Sequence, residues 1–296
     1  RWSPWIYTLG ILLLIAVLVT GTDAKGAQRW IDIPGLPRFQ PSELMKLAVP
    51  MMIAWYLSDR ALPPATRPII ATIVLIAGPV VLIAVQPDLG TSILIGSSGI
   101  IVLLMAGLAW RYILGGIALA IPLASALWMV MHDYQRRRVL TFLDPERDPL
   151  GAGWNIIQSK TAIGSGGVSG KGWLNGTQSH LDFLPESSTD FIIAVLAEEF
   201  GFYGVLGLLT VYAAVVCRGL FIGAKAQDTY SRLLAGSITL TFFVYIFVNI
   251  GMVTGILPVV GVPLPMVSFG GTSIVTLMAS FGVLMSIHTH RKLHSA

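Results

Sequence analysis

Three carboxylates, Asp182, Glu186 and Asp190, fall within nine residues of one another, where a polar segment gives way to a long apolar run. Crowded acids at such a boundary are candidates for proton transfer, because mutual repulsion and partial burial raise a carboxyl group's pKa toward the range a general base needs. Asp190 stands last before the apolar helix expected over 191–221, and the cluster as a whole is the candidate base. The competing reading is that Thr189 or Asp190 merely caps that helix, satisfying N–H groups that lack intrahelical partners. Glu198 and Glu199 follow about two turns further on, where helix packing and a proton path are both compatible with their position.

A second group of ionisable residues lies near or inside apolar stretches: Lys25, Arg29, Arg38, Glu43, Lys46 and Asp88. Charges at such depths are functional candidates, with ion pairing and snorkelling as the alternatives. Glu43 and Lys46 are three apart on one helix face and can pair. The cations would suit an anionic group such as pyrophosphate. A glycine-rich run over 162–172, flanked by Lys160 and ending near Lys171, looks at first like a phosphate loop. That motif needs a glycine five positions before the Gly of its Gly-Lys pair and a hydroxyl residue after the lysine; here Ser165 and Gly172 hold those places. A flexible turn and backbone N–H groups close to a phosphate or sugar remain as readings of the run. His288-Thr289-His290 with Arg291 and Lys292 reads as a basic tail at a lipid surface rather than a metal site, and Gly96-Ser97-Ser98-Gly99 reads as small-residue helix packing.

The elements that must position these groups follow from composition. At 54% hydrophobic and 11% charged residues over 296 positions, with mean hydropathy +0.76, the chain is far from soluble usage of about 25% charged. One cysteine, Cys217, excludes an intramolecular disulfide framework and Cys-rich metal centres. The net charge of +4 is scattered between apolar runs, which argues against nucleic-acid binding. Uncharged windows long enough for a bilayer occur at 2–22, 68–87, 89–110, 112–131 and 200–217, and 233–290 has no Asp, Glu, Lys or Arg and holds two more. With a weaker segment at 41–58, eight transmembrane helices are expected in an all-α polytopic membrane protein of one membrane domain. Prolines and glycines over 257–269 predict a re-entrant or cavity-lining loop, since irregular backbone at apolar depth must be satisfied by protein or water. Positive charge concentrates at Arg60, Arg67, Arg111, Arg218, Lys225, Arg232, Arg291 and Lys292, against Lys25, Arg29 and Arg38. That asymmetry places both termini in the cytoplasm and the long loop 132–190 outside the cytoplasmic membrane. The start, Arg1-Trp2-Ser3-Pro4, lacks signal-peptide features and reads as that of a trimmed chain.

Taken together, Lys25 to Asp32, Phe39-Gln40-Pro41-Ser42-Glu43-Leu44-Met45-Lys46, Gln86 to Thr91, Asp144 to Gly151, Gln158 to Gly172, Leu184 to Glu199 and Pro258 to Gly271 resemble the shape, elongation, division and sporulation (SEDS) family nearly end to end. The resemblance implies a peptidoglycan glycosyltransferase that polymerises lipid II at the outer membrane face, with a class B penicillin-binding protein as partner. The family's catalytic aspartate, in its Leu-Pro-Glu-x-x-Thr-Asp-Phe motif, falls on Asp190. It implies substrate contacts among Arg29, Glu43, Lys46, Asp88, Lys160, Lys171 and Glu186, and no metal-ligand set. No cofactor is called for with certainty; a divalent cation, Mg or Mn, is one way to offset charge on the departing pyrophosphate.

Two departures stand out. Family members have ten spans and this chain begins at the third, and Ser188 stands where members often carry histidine before the Thr-Asp pair. Two other classes compete: a lipid II flippase, which would use intramembrane charges and a broken helix without chemistry, and a noncatalytic scaffold that activates the penicillin-binding partner.

Overall fold

A computed structural model of the chain describes residues 2–24, 27–31, 38–130, 136, 140, 153–181, 183, 184 and 186–290. The elements are α1 (Ser3–Thr20), β1 (Thr22–Ala24), β2 (Ala27–Trp30), α2 (Pro41–Ser58), α3 (Thr66–Val85), α4 (Leu89–Met105), α5 (Trp110–Val130), α6 (Trp154–Gly166), α7 (Thr177–His180), α8 (Ile192–Ala224), α9 (Thr229–Val253) and α10 (Gly271–Thr289). Eight of the described helices correspond to the eight expected spans, and α3, α8, α9 and α10 are each long and apolar enough to cross a membrane. The protein is an all-α polytopic membrane protein, with one small addition: β1 and β2 form an antiparallel hairpin pairing Thr22 with Trp30 and Ala24 with Ala27. Parts of the expected 132–190 loop lie outside the described residues; within it, α6 and α7 are helical rather than irregular.

The chain divides into two compact units: residues 1–108, 215–244 and 271–296 form one, and 109–214 with 245–270 form the other. In the first unit, α2 buries Met45, Ala48, Val49, Ile53, Ala54 and Leu57, a helical spacing that lays one stripe against its neighbours. Leu14, Ile83, Ile95, Leu233 and Leu234 complete that core. Gly99 is there for close approach: a Cβ at that position would lie 2.5 Å from Ile76 Cγ1 and 2.9 Å from Ile53 Cδ1. Ser237 Oγ donates to the Ser98 carbonyl at 3.0 Å. The 96–99 run is therefore a helix-packing surface. Pro68 begins α3 within its first turn, where a missing N–H costs little.

In the second unit, the helix expected over 191–221 is broken. Gly201 has φ 64° and ψ −160° inside α8, a conformation available to glycine and strained for other residues. The break frees backbone groups, and the glycine-rich run takes them up. Lys171 N–H donates to Glu198 O at 3.0 Å, Gly172 N–H to Glu199 O at 2.9 Å, Phe202 N–H to Gly167 O at 3.0 Å and Tyr203 N–H to Val168 O at 3.2 Å. Gly170 N–H donates to Gly166 O at 2.8 Å. The run is thus a fixed clasp on a broken membrane helix, and the N–H groups of Gly170, Lys171 and Gly172 are spent on carbonyls rather than offered to an anion.

Gly170 adopts φ +77°, and a Cβ there would clash with the Glu199 carbonyl and lie 2.6 Å from the Gly201 nitrogen. G170A should therefore destabilise the protein by about 3 kcal/mol. Thermal unfolding in detergent checks this, with G207A as control, because nothing lies within 4 Å of a Cβ at Gly207.

Candidate active site

Asp190 lies at the entry to α8, its side chain partly exposed. The preceding turn is built by Glu186, at φ 59°. The Glu186 carbonyl accepts from Thr189 N–H at 3.1 Å and Phe191 N–H at 3.2 Å, and Thr189 Oγ1 donates to Glu186 Oε2 at 2.7 Å. Leu184 and Phe191 are buried on either side of this turn.

The carbonyls of Ser188, Thr189 and Asp190 are each held from 249–269. Phe269 N–H donates to Ser188 O at 3.0 Å, Ser268 Oγ to Thr189 O at 2.5 Å, and Asn249 Nδ2 to Asp190 O at 2.9 Å. The same Asn249 amide donates to Val262 O at 2.6 Å. A Cβ at Gly261, φ +70°, would lie 3.5 Å from Asp190 Oδ2, so bare backbone flanks the carboxylate. The stretch between α9 and α10 is non-helical over 254–270, as its prolines and glycines predict. It is braced by Tyr212 OH donating to Pro265 O at 2.6 Å and by Ser268 Oγ accepting from Leu264 N–H at 2.7 Å.

The other expected residues of this unit have settled places. Lys171 Nζ lies 2.6 Å from Glu198 Oε1. That carboxylate, fully buried, also accepts from Thr177 N–H at 2.9 Å, Thr177 Oγ1 at 3.0 Å and Gln178 N–H at 3.2 Å. Lys171 and Glu198 thus serve the clasp. Lys160, exposed on α6, lies over Gly255: a Cβ there would be 2.8 Å from the lysine Nζ. Ser159 Oγ, one residue before, donates to Val253 O at 2.8 Å and seats α6 on the end of α9. Asp182 lies outside the described residues.

In the first unit four of the expected charges form two pairs, and Arg38 is exposed. Arg29 Nη2 donates to Pro87 O at 2.6 Å, and Arg29 Nη1 is 3.7 Å from Asp88 Oδ2. Asp88 caps α4 by accepting from Thr91 N–H at 3.2 Å and receives Gln40 Nε2 at 3.2 Å. Glu43 and Lys46 meet at 2.5 Å with side chains only 7% and 11% exposed, so this is a buried pair. Glu43 Oε2 is buried and has no hydrogen-bond partner among the described residues. Lys25, Arg291 and Lys292 lie outside the described residues.

Lone removal of one member of a buried pair strands the other charge, at about 3–5 kcal/mol. K46A should lower the unfolding temperature markedly, and the double variant E43Q/K46M should recover most of the loss in the same thermal measurement.

Sequence reasoning missed Asn249 and Ser268. A signal existed: both are polar residues within 233–290, which has no charged Asp, Glu, Lys or Arg, and polar side chains at apolar depth are expensive enough to need a reason.

Fold and site define a multi-pass membrane protein that presents a carboxylate at the entry to a broken helix, on backbone pinned from a proline-rich segment. Residues 1–293 match the family model described as cell cycle protein and named for FtsW, RodA and SpoVE, and the chain belongs to this family, the SEDS family of the motif resemblance. It is 57% identical over 295 residues to the peptidoglycan glycosyltransferase MrdB of Escherichia coli K12, covering 99% of this chain and 80% of that protein. A chain of a peptidoglycan synthase complex, solved for the coordination of polymerization and crosslinking, superposes with TM-score 0.86 at 32% identity, covering 99% of this chain and 82% of that one. The rod shape determining protein RodA of Thermus thermophilus superposes with TM-score 0.71 at 27% identity, covering 99% and 79%.

Proposed function

We propose that this chain is a peptidoglycan glycosyltransferase that polymerises lipid II into glycan strands at the outer face of the cytoplasmic membrane, for elongation and rod shape. The kinship with MrdB supports the activity, and the single structural observation that carries the mechanism is the accessible Asp190 carboxylate on a backbone held at three successive carbonyls. Asp190 accepts the proton of the acceptor GlcNAc 4-hydroxyl as that oxygen attacks C1 of the donor MurNAc. The new C1–O bond forms, the bond from C1 to the phosphate oxygen breaks, and undecaprenyl pyrophosphate leaves with the electron pair. A fixed base adjacent to the reacting hydroxyl supplies both proton transfer and orientation.

Lys160, exposed on α6 of the same unit, is assigned to the leaving pyrophosphate, whose growing charge it would offset. Glu186, its carboxylate at the exposed turn, is assigned to sugar hydroxyls. Arg29, Glu43, Lys46 and Asp88 are assigned to substrate contacts within their own unit, while Lys171, held by Glu198, supports the site by fixing the clasp. Among the described residues no three His, Cys, Asp or Glu side chains gather as metal ligands. A divalent cation, Mg or Mn, would therefore be held chiefly by pyrophosphate oxygens and water, supplying further charge compensation. Both termini lie in the cytoplasm and 132–190 outside, in keeping with the distribution of Arg and Lys in short loops. A class B penicillin-binding protein is the assigned partner, in keeping with the likeness to a chain of a peptidoglycan synthase complex.

The test is polymerisation of labelled lipid II by the full-length protein with that partner, its crosslinking blocked, comparing wild type with D190N. Long strands from wild type alone are expected. Equal strands from both remove Asp190 from the chemistry; none from either returns the flippase or the scaffold.

A further inference from the structure

We propose that Asn249 and Ser268 are the positioning residues of the reaction: they place the Asp190 carboxylate by gripping the main chain that carries it. The inference rests on the reading of Asp190 as the base. Asn249 lies fully buried on α9, and its Nδ2 donates both to Asp190 O at 2.9 Å and to Val262 O at 2.6 Å. Because both partners are carbonyls, the nitrogen must be the atom that faces them. One amide thereby fixes the residue that bears the carboxylate and the peptide following Gly261, whose backbone flanks Asp190 Oδ2. Ser268 does the same one residue earlier, donating to Thr189 O while accepting from Leu264 N–H. Each side chain therefore ties the 188–190 turn to the 262–268 stretch.

The asparagine gives two carbonyls a donor while its own Oδ1 is buried without a hydrogen-bond partner among the described residues, so the side chain is arranged for those two contacts at a cost to its own acceptor. The neighbours on α9, Phe247, Ile250 and Met252, are apolar. What the amide adds is a pair of donors aimed at two specific carbonyls. Removing them leaves the acid present on a main chain that has lost two of its ties, and misplacement by about 1 Å is enough to cost about 100-fold in rate.

The experiment measures kcat and KM for labelled lipid II with the full-length protein and its blocked partner, for N249A, N249D, S268A and S268T, alongside D190N. N249D keeps the shape of asparagine, but its carboxyl group carries at most one proton and cannot donate to both carbonyls. We expect N249A and N249D to lose kcat by roughly 10- to 100-fold with KM within about twofold of wild type, and S268A to lose several-fold while S268T, which keeps the hydroxyl, stays near wild type. The proposal falls if folded N249A keeps its kcat, or if kcat and KM worsen together. Where the Asn249 variants do not fold, S268A decides: a kcat equal to that of S268T overturns the proposal. D190N separates the two claims, since an active D190N removes the base itself, whereas an inactive D190N beside fully active N249A and S268A removes only the positioning residues.

Discussion

Asparagine in place of Asp190 should lower glycan polymerisation by on the order of 1,000-fold, the middle of the range that general acid–base catalysis contributes. The expectation is sharp because the three ties described for this turn run to main-chain carbonyls of Ser188, Thr189 and Asp190, and these survive a change of side chain. D190N should therefore fold, bind its partner and bind lipid II, and fail only at proton transfer. Glutamate tests geometry instead of chemistry. Its extra methylene would drive the carboxylate toward the Gly261 backbone, so D190E should retain a base but lose about 100-fold for misplacement. Single-turnover polymerisation measures both, and full activity in D190N would end the base assignment.

The second large effect belongs to Glu198. E198A would leave the Lys171 ammonium and the N–H groups of Thr177 and Gln178 without the acceptor they now share, and since the lysine is partly exposed, the cost is expected to be about 2–3 kcal/mol, chiefly from the stranded N–H donors. E198Q keeps the shape and one acceptor oxygen, so its loss should be smaller, about 1–2 kcal/mol. The double variant K171M/E198L removes both charges together and should be more stable than E198A. Thermal unfolding in detergent ranks these variants, and limited proteolysis should find E198A newly cut within 166–178. Equal stability of E198A and wild type would show that the clasp is held by its backbone bonds alone.

Local signals in the chain were the ones that could be read. Spans were legible because charges are excluded from apolar helices over tens of residues, and the acid cluster was legible because it closes a polar stretch at the start of one, while the motif resemblance alone set Asp190 apart within it. The Glu43–Lys46 pair was legible from three-residue spacing. By contrast, Lys171 and Glu198 are 27 residues apart, and their union depends on how the glycine-rich run folds back, which no periodicity encodes. The same run was read as a turn or an anion cradle because its glycines suit either. For Gly166 and Gly170 the cause, close approach to the carbonyls of Ala197 and Glu199, is tertiary. Gly201 gave no warning, since single glycines are ordinary in membrane helices. Asp88 shows a charge with a local use: at the head of α4 it caps the helix whatever else it touches.

The break at Gly201 also sets a depth. A helix rises about 1.5 Å per residue, so the portion of α8 after the glycine, residues 202–224, is about 35 Å long and crosses a hydrocarbon layer of about 30 Å unaided. The portion before it, with Glu198 and Glu199, is surplus to that crossing and need not enter oil. Phe202 and Tyr203, both exposed at the first turn after the break, mark the waterline that amphipathic rings favour. Asp190, eleven residues before the break, then falls on the side of that line away from the crossing portion of the helix.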